Sequence, residues 1–139
     1  MVFKVYIDIN VLLDFFLKRR DFIDTERIIQ FILDDKIDAC ISISVLQTLS
    51  FYLQKDFGSR TAKQLLMELL INVKLIESDK QAVMQALTSN FKDIEDAVHY
   101  FTAVSHKIDY IITNDIHFQK TALPILPVIS VQQFIKKIS

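Results

Sequence analysis

Apolar positions along this chain switch between a short period and a helical one. Residues 2–7 (VFKVYI) form an apolar run of strand length, and 39–43 (ACISI), 73–76, 110–113 (YIIT) and 128–129 read the same way. The stretches between them read as helices: 11–17, 25–33, 44–57, 80–87 and 131–138. In 44–57, Val45, Leu49, Tyr52 and Leu53 fall at i, i+4, i+7 and i+8. Gly58 suits the stop of that helix and Ser59 the N-cap of the next, whose Ala62, Leu65, Leu66, Leu69 and Leu70 form one stripe. A helix over 94–105 is expected to bury Ile94, Ala97, Val98, Phe101 and Val104. Strands separated by helices imply an α/β fold, a central parallel sheet flanked by helices with right-handed crossovers.

Composition narrows the class. The 139 residues fit one domain, 1–139, and 51% hydrophobic content is enough for a substantial core. No linker, repeat or low-complexity tract interrupts the pattern. The N-terminal apolar segment is broken by Lys4, Asp8 and Asp14 and lacks a small-residue cleavage site, so it reads as strand and helix and not as a signal peptide. No run approaches the roughly 18 apolar residues of a membrane span. The lone Cys40, read as a buried small hydrophobe, excludes an intrachain disulfide framework and a Cys-rich zinc site. A cytoplasmic location is expected. The net charge of −1 is far from that of a protein gripping nucleic acid mainly through phosphate neutralisation, so any RNA contact should be local.

The candidate chemistry lies in acids placed where such sheets bind ligands, beyond the carboxyl ends of the strands. Asp8 ends the first strand in YIDIN, and Asp115 follows the fourth in YIITND. Asp93 and Asp96 open the helix of KDIEDAVHYF on one flank of its expected buried stripe, with Glu95 on the other and His99 pointing away. Each has a plainer reading, Asp93 as a cap, Asp96 as a charge at the positive helix end, Asp8 and Asp115 as loop residues. Jointly they point to a metal site, because bare carboxylates at ~4 Å repel by roughly 4 kcal/mol per pair at an effective dielectric near 20. Oxygen-only ligands favour Mg²⁺ or Mn²⁺, and the matching chemistry is metal-assisted phosphodiester hydrolysis.

These segments, in this order, resemble the PIN domain family, particularly the toxins of VapC-type toxin–antitoxin pairs. VYIDINVLLD is similar to the family's opening motif, which makes Asp8 a metal ligand and Asn10 its supporting neighbour. DIEDAVHYFTAV resembles the third acidic motif, with Asp96 as ligand and Asp93 as a further acidic member. IITNDIHF resembles the final motif, with Thr113 and Asp115 in the functional positions. The resemblance implies a three-layer PIN-like fold and a Mg²⁺- or Mn²⁺-dependent endoribonuclease, the toxin of a type II pair. Its implied partners are an RNA substrate, a small antitoxin and a second copy of the chain. Two positions depart from the pattern. Thr48 stands in SVLQTLSFYLQ where the family carries an acid, and Ile9 where a small polar residue is common. Loss of the helix-three carboxylate implies weaker metal binding.

The competing readings are a catalytically weakened PIN domain that binds RNA or protein, a haloacid-dehalogenase-like phosphatase and a response-regulator receiver. The phosphatase needs a second aspartate two residues after the first, where Asn10 stands; the receiver's paired acids and late lysine are not evident. His99 and His106, seven apart, are about 10 Å apart in rise and are read as solvated. His117 is read as a surface residue, with phosphate contact as the alternative. Lys18, Arg19 and Arg20 suit the negative end of the first helix and could also guide RNA, while Phe15 and Phe16 could serve a partner surface.

Overall fold

The computed structural model describes residues 2–138, so the outermost residue at each end of the expected 1–139 span lies outside the described residues. The chain runs β1 (Phe3–Ile7), α1 (Ile9–Phe16), α2 (Phe22–Leu33), β2 (Ile37–Ser42), α3 (Ile43–Phe57), α4 (Ser59–Asn72) and β3 (Lys74–Ile76). It continues with α5 (Lys80–Thr88), α6 (Ile94–Ser105), β4 (Tyr110–Ile112), α7 (Ile116–Lys120), β5 (Val128–Ile129) and α8 (Val131–Ile138). The strands form one five-stranded sheet in the order β3-β2-β1-β4-β5, with every pairing parallel. Helices flank it, as the alternation of periods predicts.

β1 is the central strand, and this explains its composition. A strand covered on both faces needs apolar residues at successive positions rather than every second one. Val5, Tyr6 and Ile7 are all fully buried. Their cluster takes in Ile41 of β2, Ile111 and Ile112 of β4, Leu49 and Leu53 of α3, and Phe134 of α8.

The chain closes three helices without glycine. Lys18, Asp35 and Lys107 hold left-handed φ values of 51°, 55° and 58° just past α1, α2 and α6. In each case the following amide reaches back five residues, Arg19 to the carbonyl of Asp14, Lys36 to Phe31 and Ile108 to Ala103. This is the Schellman closure, which satisfies carbonyls that a helix end leaves without partners. Gly58, at φ 83°, is the one glycine; it ends α3 and also caps α4, so Ser59 is the first residue of α4 and not its cap.

Two expectations about helices fail. The short α7 has no counterpart in the apolar pattern; Asp115 caps it by accepting from the amides of His117 and Phe118. The buried face of α6 is rotated from the expected stripe. Ile94 is 63% exposed, while His99, Tyr100, Thr102 and Ala103 are buried. The reason is that this inner face is partly polar and fully partnered. Thr102 Oγ1 meets Ser78 Oγ at 2.6 Å, and the Tyr100 hydroxyl donates to the carbonyls of Leu123 and Leu126. Burial with partners costs such groups little, so hydrophobic periodicity alone misreads this helix.

Candidate metal centre at the sheet's switch point

The strand order places a crevice before any side chain is considered. From β1 the chain builds outward through β2 to β3, then crosses to the other side of β1 for β4 and β5. The order therefore reverses between β1 and β4, and open parallel sheets bind ligands at that reversal, beyond the strands' carboxyl ends. Asp8 and Thr113 follow directly on β1 and β4 there, and the Asp8 amide donates to the Ile112 carbonyl at 3.0 Å.

Asp8 is buried, and its carboxylate is held from three directions. Oδ1 accepts from the Ile9 amide at 2.8 Å, which caps α1. Oδ2 accepts from the Thr113 hydroxyl at 2.7 Å and from Asn10 Nδ2 at 3.0 Å. Asn10 also donates to Thr113 Oγ1, and its own carbonyl accepts from the Asn114 amide at 3.1 Å. Thr113 Oγ1 in turn accepts from the Asp115 amide at 3.1 Å. Two short sequence motifs about a hundred positions apart thus close into one hydrogen-bonded frame. Asn114 belongs to it too, since its side-chain oxygen accepts from the Val131 amide at the start of α8. Its position between Thr113 and Asp115 was the available signal for it.

Asp93 caps α6 by accepting from the Asp96 amide at 3.0 Å. Asp96 stands in the first turn of that helix, half-buried, and its carboxylate takes no hydrogen bond among the described residues. A hollow of about 1050 Å³ has Asp93, Asp96 and Asp115 in its wall together with Lys92, His117 and Lys120. Asp115 separates it from a second hollow of about 600 Å³, lined by Asn10, Asp14, Arg19 and Arg20. Arg19 Nε bonds Asp14 Oδ1 at 3.1 Å there. Thr48 lies on the exposed side of α3, while its neighbours Val45 and Leu49 face the core.

The electrostatics record how the acids sense one another. Burial lifts the Asp8 carboxyl above its ordinary value, and Asp115 adds to the rise; the Thr113 and Ile9 hydrogen bonds and His99 oppose it. Asp96 is pushed up to about 6, first by burial, then by Asp93, Asp8, Asp115 and Glu95. Among the described residues no three acidic, His or Cys side chains are drawn together closely enough to form a ready-made cage for an ion. An open set of carboxylates with free oxygens still suits a small hard cation. Mg²⁺ keeps several of its waters and is usually held by one or two carboxylates.

His99 departs from its sequence reading. It is buried, with Nδ1 at 2.8 Å from the Tyr6 hydroxyl, and is not solvated. His106 and His117 are exposed, and Cys40 is buried.

The comparisons with known proteins agree with this architecture. A family model described as "PIN domain" matches residues 4–117. The chain belongs to the PIN domain family. It is 27% identical over 140 residues to Ribonuclease VapC1 of Aquifex aeolicus (strain VF5), a match covering 96% of this chain and 94% of that protein. Among solved structures it resembles VapBC2 from Rickettsia felis bound to a promoter DNA fragment, with a TM-score of 0.68 at 15% identity, covering 91% of this chain and 98% of that one. It also resembles a toxin–antitoxin complex from Klebsiella pneumoniae, with a TM-score of 0.66 at 18% identity, covering 88% and 94%. No helix among the described residues is long and apolar enough to cross a membrane.

The raised Asp96 value predicts a pH dependence of the metal-free protein. Folded Asp96 keeps its proton up to about pH 6, whereas the unfolded chain releases it near 3.8. The folded state binds the extra proton in that window, so this contribution to stability is full at low pH and is lost as pH rises towards 6. Asp96→Asn removes the titration. In urea unfolding with chelator present, the variant should match wild type below pH 4 and exceed it at pH 7. An equal difference at both pH values would contradict the assignment.

Proposed function

We propose that this protein is a metal-dependent endoribonuclease, the toxin of a type II toxin–antitoxin pair, acting in the cytoplasm as a single PIN domain. The observation that supports the reading is that Asp96 and Asp115 share the wall of one hollow, while the charges of Asp8 and Asp115 both act on Asp96. Family membership and the likeness to Ribonuclease VapC1 support RNA as the substrate.

Asp8, Asp96 and Asp115 are the residues that would hold Mg²⁺ or Mn²⁺. When bound, the ion would neutralise their charge, activate water and stabilise the charge that builds on the phosphodiester. The protein's part is positioning. Thr113, Asn10 and the Ile9 amide fix the Asp8 carboxylate so that it is not free to turn away. Asp93 fixes the first turn of α6 and with it Asp96. Lys92 and Lys120 on one side of Asp115, and Arg19 and Arg20 on the other, offer cations to flanking phosphates. These four cations place positive charge beside the site in a chain whose net charge is −1.

Thr48 sets the expected strength of that activity. A hydroxyl is a neutral and weak metal donor compared with a carboxylate. Wild type should gain thermal stability from Mn²⁺ and cut single-stranded RNA slowly. Asp8→Asn should lose both, and Thr48→Glu should strengthen Mn²⁺ binding and raise cleavage, with Thr48→Gln doing neither. Equal Mn²⁺ shifts in wild type and Asp8→Asn would remove Asp8 as a ligand. A folded Thr48→Glu that changes neither property would place Thr48 away from the site.

Half-buried and exposed apolar side chains support two partner surfaces. A groove of about 640 Å³ between the α1–α2 and α3–α4 pairs is lined by Phe15, Phe16, Phe22, Leu65 and Leu69, and it suits an apolar segment of the antitoxin. Phe51, Met67 and Ile71, exposed on α3 and α4, suit a second copy. Light scattering of the purified chain should therefore give twice 16.2 kDa, and a monomer would remove the dimer. Phe15→Asp with Leu65→Asp should abolish inhibition by the antitoxin and leave cleavage intact. Full inhibition of that variant would put the antitoxin elsewhere.

A further inference from the structure

Beneath the acids lies a buried polar chain that the proposed chemistry does not use. The Tyr6 hydroxyl, fully buried, donates to Ser42 Oγ at 3.0 Å and meets His99 Nδ1 at 2.8 Å. Ser42 Oγ also accepts the Val45 amide and so caps α3. At the outer end, His99 Nε2 lies 3.5 Å from the exposed Glu95 carboxylate, one turn back on the same helix. With its single proton given to Ser42, the Tyr6 hydroxyl accepts from the Nδ1–H of His99. No buried polar side-chain atom among the described residues is left without a partner.

The placement of this chain is what matters. Tyr6 precedes Asp8 by two positions, and strand alternation puts both on one face of β1. His99 follows Asp96 by three positions, on the neighbouring part of the same helix flank. Among the described residues, the Tyr6–His99 bond is the one hydrogen bond joining β1 to α6. The other polar ties of α6 run to Ser78 before α5 and to Leu123 and Leu126 before β5. Those ties join α6 to the segments before α5 and β5, so the Tyr6–His99 bond is the polar tie between α6 and the strand that leads into Asp8.

We propose that Tyr6 and His99 are a positioning pair whose buried hydrogen bond sets the separation of Asp8 and Asp96 and thereby the affinity of the site for its divalent ion. The proposal rests on the reading of those acids as ligands. Neither residue touches the ion. They act through the elements that carry the ligands, as supporting hydrogen bonds around metal sites commonly do.

The test uses the full chain as wild type, Tyr6→Phe, His99→Leu and His99→Gln, with Mn²⁺ affinity from calorimetry and stability from urea unfolding. Tyr6→Phe and His99→Leu should bind Mn²⁺ about tenfold more weakly. His99→Gln, whose amide can still donate to the Tyr6 hydroxyl, should return affinity to near the wild-type value. If His99→Leu does not fold, Tyr6→Phe decides, since it keeps the ring and removes only the hydroxyl. A folded Tyr6→Phe with wild-type affinity, or His99→Gln as weak as His99→Leu, would overturn the proposal and leave the pair a stabilising contact only. A wild type that binds no Mn²⁺ would instead overturn the metal site itself, and the positioning role with it.

Discussion

The hydrogen bond from the Thr113 hydroxyl to the Asp8 carboxylate, 2.7 Å long and buried, joins the two central parallel strands at the point where the strand order reverses. A buried carboxylate is costly unless hydrogen-bonded, so Asp8 depends on that hydroxyl, on Asn10 and on the Ile9 amide. Each of these in turn depends on β1 and β4 lying in parallel register, with Ile7 opposite Ile112. The sheet therefore holds the site, and the site's hydrogen bonds close the sheet's open crevice. The same frame reaches α8 through Asn114 and α7 through Asp115 and Gln119, whose side-chain amide donates to the Thr113 carbonyl.

Around that frame the protein gathers more negative charge than the metal-free state accommodates comfortably. Asp96 shows this most clearly, since four other acids and its own burial act on it in one direction. No basic side chain is paired with it among the described salt bridges. Structural ion pairs would neutralise such a cluster locally; here the cations lie in the walls of the adjoining hollows. That division, acids at the centre and cations at the margin, is what a site for a divalent ion and a polyanion requires.

Much of this was legible in the sequence, for identifiable reasons. The strands were readable because buried parallel strands are near-continuous apolar runs, and Asp8 and Thr113 were readable because they interrupt or end those runs. The inner face of α6 was not. His99, Tyr100 and Thr102 look like surface residues until Tyr6, Ser78 and the Leu123 and Leu126 carbonyls are known as partners, and those come from distant segments. α7 was missed because its five residues are too few to show a period. The helix ends before Lys18, Asp35 and Lys107 were readable from where the apolar period stops, although the usual glycine signal is absent there.

In the proposed function, Asp8, Asp96 and Asp115 close on one divalent ion at the switch point. The most direct measurement is anomalous scattering from crystals of the protein grown with Mn²⁺. A peak is expected roughly 2 Å from carboxylate oxygens of Asp8 and Asp96, with Asp115 bound directly or through a water. No peak there at saturating Mn²⁺, or a peak only at other residues, would contradict it.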